Sequence, residues 1–203
     1  MAYSARRATE RRLTKTRLEA FSDGVIAILI TILVLELKVP HGTDWQALRP
    51  LLPVFLTYVL SFIFLGIYWN NHHHMLLCTE RITGGVLWAN LHLLFWLSLI
   101  PFVTGWMGQN SFEPLPVAVY GVVLLLAGVA WIILQGTILV HGDPDSRLRR
   151  AVGRDFKGKI SLAFYAVAIP LAFLDRRLAI GLYVLVVLLW LVPDRRIESQ
   201  LNR

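Results

Sequence analysis

Apolar residues in this chain gather into long blocks instead of recurring at the spacing of an amphipathic surface helix. The blocks cover residues 21–37, 51–69, 86–107, 116–140, 160–174 and 178–192. They approach or exceed the roughly 20 residues that a helix needs to cross about 30 Å of hydrocarbon. The pattern predicts an all-α polytopic membrane protein with six transmembrane helices. The last two blocks are short and Pro170 interrupts the fifth, so a re-entrant hairpin competes there with two spans. Snorkelling of Lys157, Lys159, Arg176 and Arg177 extends both blocks, and two spans is the preferred reading. Residues 1–16 form a basic arm, 17–193 the six-helix domain and 194–203 a tail. The linker 141–145 leads into an Arg-rich stretch, 146–156, that reads equally as an interfacial helix or a solvated loop.

Composition agrees with the blocks: 56% of the 203 residues are hydrophobic and the mean hydropathy is +0.60. Twenty basic residues give a net charge of +7, and their placement carries topology, because cytoplasmic loops retain Lys and Arg. With both termini cytoplasmic, only Lys38, Arg49, Arg176 and Arg177 lie outside and the other 16 face the cytoplasm. That asymmetry accounts for the basicity through attraction to anionic headgroups. Nucleic acid is not the implied partner, since the basic residues flank apolar spans with no aromatic platform or binding module beside them. The first apolar block follows a polar arm and precedes no small-residue cleavage site, so it is expected to remain as the first helix. A single cysteine, Cys78, excludes an intrachain disulfide and CxxC chemistry. No internal repeat is present, so a symmetric pore requires several copies of the chain.

Asp23 enters the first block as an ionisable residue in a span, which costs about 2.5 kcal/mol or more at mid-bilayer and demands a partner or a role. Arg17 is six residues away and about 9 Å along the axis, too far round to pair with it on one helix. Trp69, His72 and Asn90 lie at the same membrane side and are the expected partners. Gly24 and Ala27 leave room for a neighbouring helix. His72, His73 and His74 sit about 100° apart on a helix, so three such imidazoles cannot share one metal ion without loop geometry. They are read as the interfacial end of the second helix, with His72 in the network around Asp23, ahead of a pH-sensitive cytoplasmic cluster. His92 is expected to be a satisfied interhelical histidine. No phosphate loop, triad spacing or HExxH appears, so neither a cofactor nor an enzymatic activity is expected.

Arg17-x-x-x-Phe21-Ser22-Asp23 at the start of the first span, followed by Trp69-x-x-His72, Asn90-Leu91 and Pro101-Phe102-x-Thr104, resembles the bacterial branch of the transmembrane protein 175 family of potassium channels. The resemblance covers nearly the whole chain and rests chiefly on the first motif. It implies one six-helix unit per chain, a homotetramer in a bacterial plasma membrane, potassium ions as the conducted partner, and a pore lined by four first helices. Residues seven and then three or four apart share a helix face, which lines up Phe21, Ile28, Thr31 or Ile32, and Leu35. By resemblance, Ile28 is the hydrophobic constriction, Thr31 a polar ring and Leu35 a further apolar ring. Arg17, Phe21, Ser22 and Asp23 form, by the same resemblance, an anchor that fixes the pore helix without touching the ion.

Such a pore lacks the Thr-Val-Gly-Tyr-Gly filter, for no comparable carbonyl loop occurs in the sequence. An Ile ring closes by dewetting and opens by slight widening. Potassium sheds water more cheaply than sodium, so moderate selectivity is the expectation. From the residues alone, three other classes stay open: a proton-coupled transporter using Asp23, an intramembrane enzyme pairing Asp23 with His72 or His92, and a non-conducting scaffold.

Overall fold

The computed structural model describes residues 2–77, 79, 81–141 and 156–191, and no strand occurs among them. Helix α1, Ala2–Leu33, continues the basic arm into the first span without a break and ends in a 3-10 turn, Val34–Glu36. A second 3-10 stretch, Trp45–Leu51, is capped by Asp44 and leads into α2, Leu52–Leu77. Helix α3, Gly84–Ser98, is N-capped by Thr83 and is followed by α4, Ile100–Gln109, and α5, Pro114–His141. The last described helices are α6, Phe156–Leu174, and α7, Arg176–Leu191.

Most of the expected blocks are helices, and the second and third differ from expectation. The second continues past Trp69 through the three histidines to Leu77. The third, expected as one span, is broken at Leu99 into α3 and α4. Pro101 is the cause, because it has no N–H to give to Leu97 and its ring crowds that carbonyl. Locally the ladder tightens, with the Leu99 N–H donating to the Trp96 carbonyl at 3.3 Å before Val103 N–H resumes on Leu99 at 3.1 Å.

Pro170 leaves α6 continuous. Its 19 residues rise about 28 Å, enough to cross the hydrocarbon instead of turning back within it. Asp175 alone joins α6 to α7, its carboxylate accepting from the N–H groups of Arg177 and Leu178 at 2.8 and 3.4 Å. Among the described residues, five stretches are long and apolar enough to cross: Thr14–Glu36, Trp45–Leu77, Gly84–Gln109, Pro114–Val140 and Phe156–Leu174. The helix of the sixth block, α7, has 16 described residues, a rise of about 24 Å. Residues 142–155, which include most of the linker and the Arg-rich stretch, and the tail 194–203 lie outside the described residues.

Helix α5 is central, packed against α3, α4 and α6, while α1 leans on α2, α3 and α4. In lipid, apolar burial does little to hold helices together, so close packing and interhelical hydrogen bonds must do it. Gly108 on α4 illustrates the packing: a Cβ there would stand 2.8 Å from Val54 Cα and 2.6 Å from Thr57 Oγ1. Buried Ser61 of α2 bonds Thr104 of α4 at 2.6 Å and Tyr120 of α5 at 3.0 Å, joining three helices through hydroxyls. The Tyr183 hydroxyl donates to the Val117 carbonyl at 3.0 Å and ties α7 to α5.

Gly108→Val is expected to push α2 from α4 and to cost about 1–3 kcal/mol, the usual range for overpacking, lowering the thermal midpoint in detergent. Gly181→Ala, where nothing stands within 4 Å of the new Cβ, should leave that midpoint unchanged or raise it slightly.

Candidate functional site: the outward face of the first helix and its polar anchor

Ser22, Asn90 and His72 meet at the junction of α1, α3 and α2, and all three are fully or almost fully buried. The Asn90 amide donates to Ser22 Oγ at 2.9 Å, and Asn90 Oδ1 stands 2.7 Å from His72 Nε2. Since Asn90 Oδ1 only accepts, His72 carries its proton on Nε2. Beside this chain, Trp69 Nε1 donates to Asp23 Oδ1 at 3.1 Å. Trp69 and His72 are both on α2, three residues apart, so one helix face serves two neighbouring residues of α1.

Of the residues expected near Asp23, Trp69 bonds it directly, while Ser22, His72 and Asn90 form the neighbouring chain. Arg17 and Phe21 are not joined to them. Both are exposed on the single chain, Phe21 at 53%. Lys15, one turn before Glu19, donates to the Leu77 carbonyl at 3.1 Å and lies 3.9 Å from the Glu19 carboxylate. A cation thus sits at the C-terminal end of α2, where the helix dipole favours it.

The three consecutive histidines go three ways, as their helical spacing requires. His72 joins the buried chain. His73 stacks on Trp69 with ring centroids 6.4 Å apart, and the His74 ring stands edge-on to His73 at 5.7 Å. His92 differs from expectation: it is exposed, and its partner is Trp96 one turn on along the same helix, whose Nε1 donates to it at 2.9 Å. An i,i+4 pair on one helix satisfied it without an interhelical contact.

Rotation of α1 follows from the anchor. Leu18, Ser22, Ile26, Leu29 and Leu33 are buried at spacings of four and three. The opposite stripe is uncovered: Ile28 is 58% and Leu35 76% exposed, and Gly24, Thr31 and Ile32 are exposed with them. Thr31 is oriented by its own helix, its hydroxyl donating to the Ile28 carbonyl at 2.8 Å. With that proton spent on the helix's own carbonyl, the oxygen of this exposed residue can only accept, the polarity that a cation requires.

Two polar groupings were not anticipated from the sequence. One is the Ser61–Thr104–Tyr120 cluster, of which only Thr104 stood in a quoted motif. The other is the partner of Glu36, a residue expected with Lys38 to mark the interface or attract cations, whose Oε2 accepts from Gln109 Nε2 at 3.0 Å. Their signal is a polar residue lodged in an apolar block, but spacing alone does not reveal which polar residues meet.

The arrangement defines a multi-pass helical membrane protein whose first helix is pinned on one face by buried polar side chains and left uncovered on the other. The family described as endosomal/lysosomal potassium channel TMEM175 matches residues 17–101, the segment holding the entire anchor. A potassium channel of Chryseobacterium sp. is 52% identical over 94% of this chain and 99% of its own length. The crystal structure of a lysosomal potassium-selective channel TMEM175 homolog from Chamaesiphon minutus superposes with a TM-score of 0.77. It is 26% identical, across 88% of this chain and 97% of that one. The endosomal/lysosomal proton channel TMEM175 of Homo sapiens is 30% identical over 64% of this chain, which is 29% of the human protein. This chain belongs to the TMEM175 family.

Asn90→Leu is expected to strand Ser22 and His72 without their shared partner. Unpaired buried polar groups cost about 1–3 kcal/mol each, so the thermal midpoint in detergent should fall clearly. Trp69→Phe, which removes one hydrogen bond to a half-exposed carboxylate, should lower it less.

Proposed function

We propose that this protein is a moderately selective potassium channel, a homotetramer in which four copies of α1 surround the conduction path. The observation that carries the reading is the uncovered stripe of α1, with Ile28, Thr31 and Leu35 all exposed on it. A lone helix exposing a threonine, a glycine and large apolar residues on one face is suited to meeting copies of itself around an axis. The 52% identical potassium channel and the potassium-selective structural relative support the same reading.

In this account Ile28 is the constriction. A ring of four isoleucines expels water and blocks ions by dewetting, and slight widening lets a partly hydrated cation pass. Potassium holds its water less tightly than sodium, so the apolar ring favours it. The Thr31 oxygens, one turn further along, replace part of the lost hydration and sharpen the preference. Ile32 and Leu35 form the apolar wall beyond. The anchor residues Ser22, Asp23, Trp69, His72 and Asn90 stay off the ion path and hold α1 at the required rotation, with Arg17 and Phe21 at the entrance. We place both termini in the cytoplasm of a bacterial cell, on the side that holds 16 of the 20 basic residues. No residue is given a catalytic role. Proton permeation is the second reading, favoured by the name of the human relative.

Two variants test the assignment in planar bilayers containing purified protein. Ile28→Asn should wet the constriction and raise basal current severalfold at equal reconstituted protein. Unchanged current would remove Ile28 from the gate. Thr31→Val keeps the shape and removes the oxygen, so the potassium over sodium permeability ratio should fall by about half or more while current persists. An unchanged ratio would leave the apolar ring as the sole source of selectivity. A reversal potential that follows a proton gradient under symmetric potassium would favour the second reading.

A further inference from the structure

At the end of α1 remote from Arg17, the chain leaves the α-helix through the 3-10 turn Val34–Glu36. Such a turn advances about 120° per residue, so Leu35 and Glu36 point in different directions. Leu35 faces outward, whereas Glu36 turns back onto α4. Its carboxylate accepts from Gln109 and rests on Gly105, where an added Cβ would overlap it. Gly105 is buried, and only the absence of a side chain there gives the carboxylate its seat.

The other described carboxylates at this end of the bundle are committed to the fold. Asp44 accepts from the Ala47 N–H at 3.0 Å and caps the stretch before α2. Glu113 forms an ion pair with Arg176 at 2.7 Å. Asp175 caps α7. Glu36 differs from all three: it belongs to the segment of α1, it is one residue from Leu35, and its described partner is a neutral amide that leaves the charge intact. Lys38, two residues on, is exposed.

We propose that Glu36 collects cations for the pore: one fixed carboxylate from each subunit, flanking the Leu35 ring, raises the local concentration of monovalent cations at that mouth. The assignment rests on the reading of α1 as the pore helix. Because Glu36 is turned to the flank, it acts through its field and coordinates no ion in the path. A field of this kind reaches about 30 Å at 0.01 M salt and about 3 Å at 1 M. Its contribution is therefore large in dilute solution and lost in concentrated solution. It also draws potassium and sodium alike, which leaves the permeability ratio to Ile28 and Thr31.

The test is unitary conductance of the full-length protein in planar bilayers, in symmetric potassium chloride at about 0.01 M and about 1 M. Glu36→Gln keeps the size of the side chain and a polar atom for Gln109. It should lower conductance severalfold in the dilute solution, converge on the parent in the concentrated one, and leave the potassium over sodium ratio unchanged. Glu36→Asp, which retains the charge, should preserve most of the dilute-solution conductance, and Lys38→Gln should not lower it. Equal conductance of parent and Glu36→Gln at low salt would overturn the assignment. So would an equal reduction at both concentrations, which marks a structural role. In either case the parent's currents keep the channel reading intact, whereas a parent without unitary currents would overturn both.

Discussion

Ser22, Asn90 and His72 form a chain of hydrogen bonds inside a medium that offers no substitute partners. An amide stranded there loses several kcal/mol of possible interaction, on the order of 2–7 by transfer estimates, so the three residues must meet. Once Ser22 is turned towards Asn90, the helical period decides the rest of α1. Leu18, Ile26, Leu29 and Leu33 turn inward with it, and Phe21, Ile28, Thr31 and Leu35 turn away. A shift of one residue would rotate the helix by about 100°, leave Asn90 without Ser22, and carry Thr31 off the uncovered face. One buried polar contact thus fixes which side of the helix is available to line a path.

At the opposite end of α1, the Glu36 carboxylate is seated on Gly105 and meets the neutral amide of Gln109. That seat depends on the Pro101 break, since α4 begins there and carries both residues. Between the two ends, among the described residues, α1 is held to its neighbours by apolar contact. Thr31 spends its proton within its own helix. A small outward displacement at Ile28 therefore breaks no interhelical hydrogen bond, which is the mechanical condition for opening a hydrophobic constriction. In the proposed channel, opening would move the apolar middle while the two ends stay in place.

Much of this was legible in the sequence, and the reasons differ by feature. Hydropathy blocks give helices because a bilayer permits little else, and length alone then sets the count. A partner for Asp23 was legible because an ionisable residue in a span needs one, and few polar residues share its depth. Of Trp69, His72 and Asn90, only Trp69 bonds Asp23, whereas His72 and Asn90 link to its neighbour Ser22. The break at Leu99 was not read, although Pro101 was in view, because a proline within a membrane helix is often accommodated without a break, as Pro170 is in α6. The Ser61–Thr104–Tyr120 cluster and the Glu36 seat were missed for another reason: each joins helices distant in sequence, and only the packing decides which hydroxyl or carboxylate finds which partner. His92 was misassigned because an i,i+4 donor on its own helix satisfied it.

The central claim is that the uncovered stripe of α1 lines a water-filled path. Single cysteines along α1, introduced after Cys78→Ala and recorded in planar bilayers before and after silver ions are added, address it directly. Silver ions reach a thiol only through water and lodge in the conduction path. The account expects block at positions 28, 31 and 35 and none at the buried positions 26, 29 and 33. Block at 26, 29 or 33, or uniform insensitivity in channels that conduct, would contradict it.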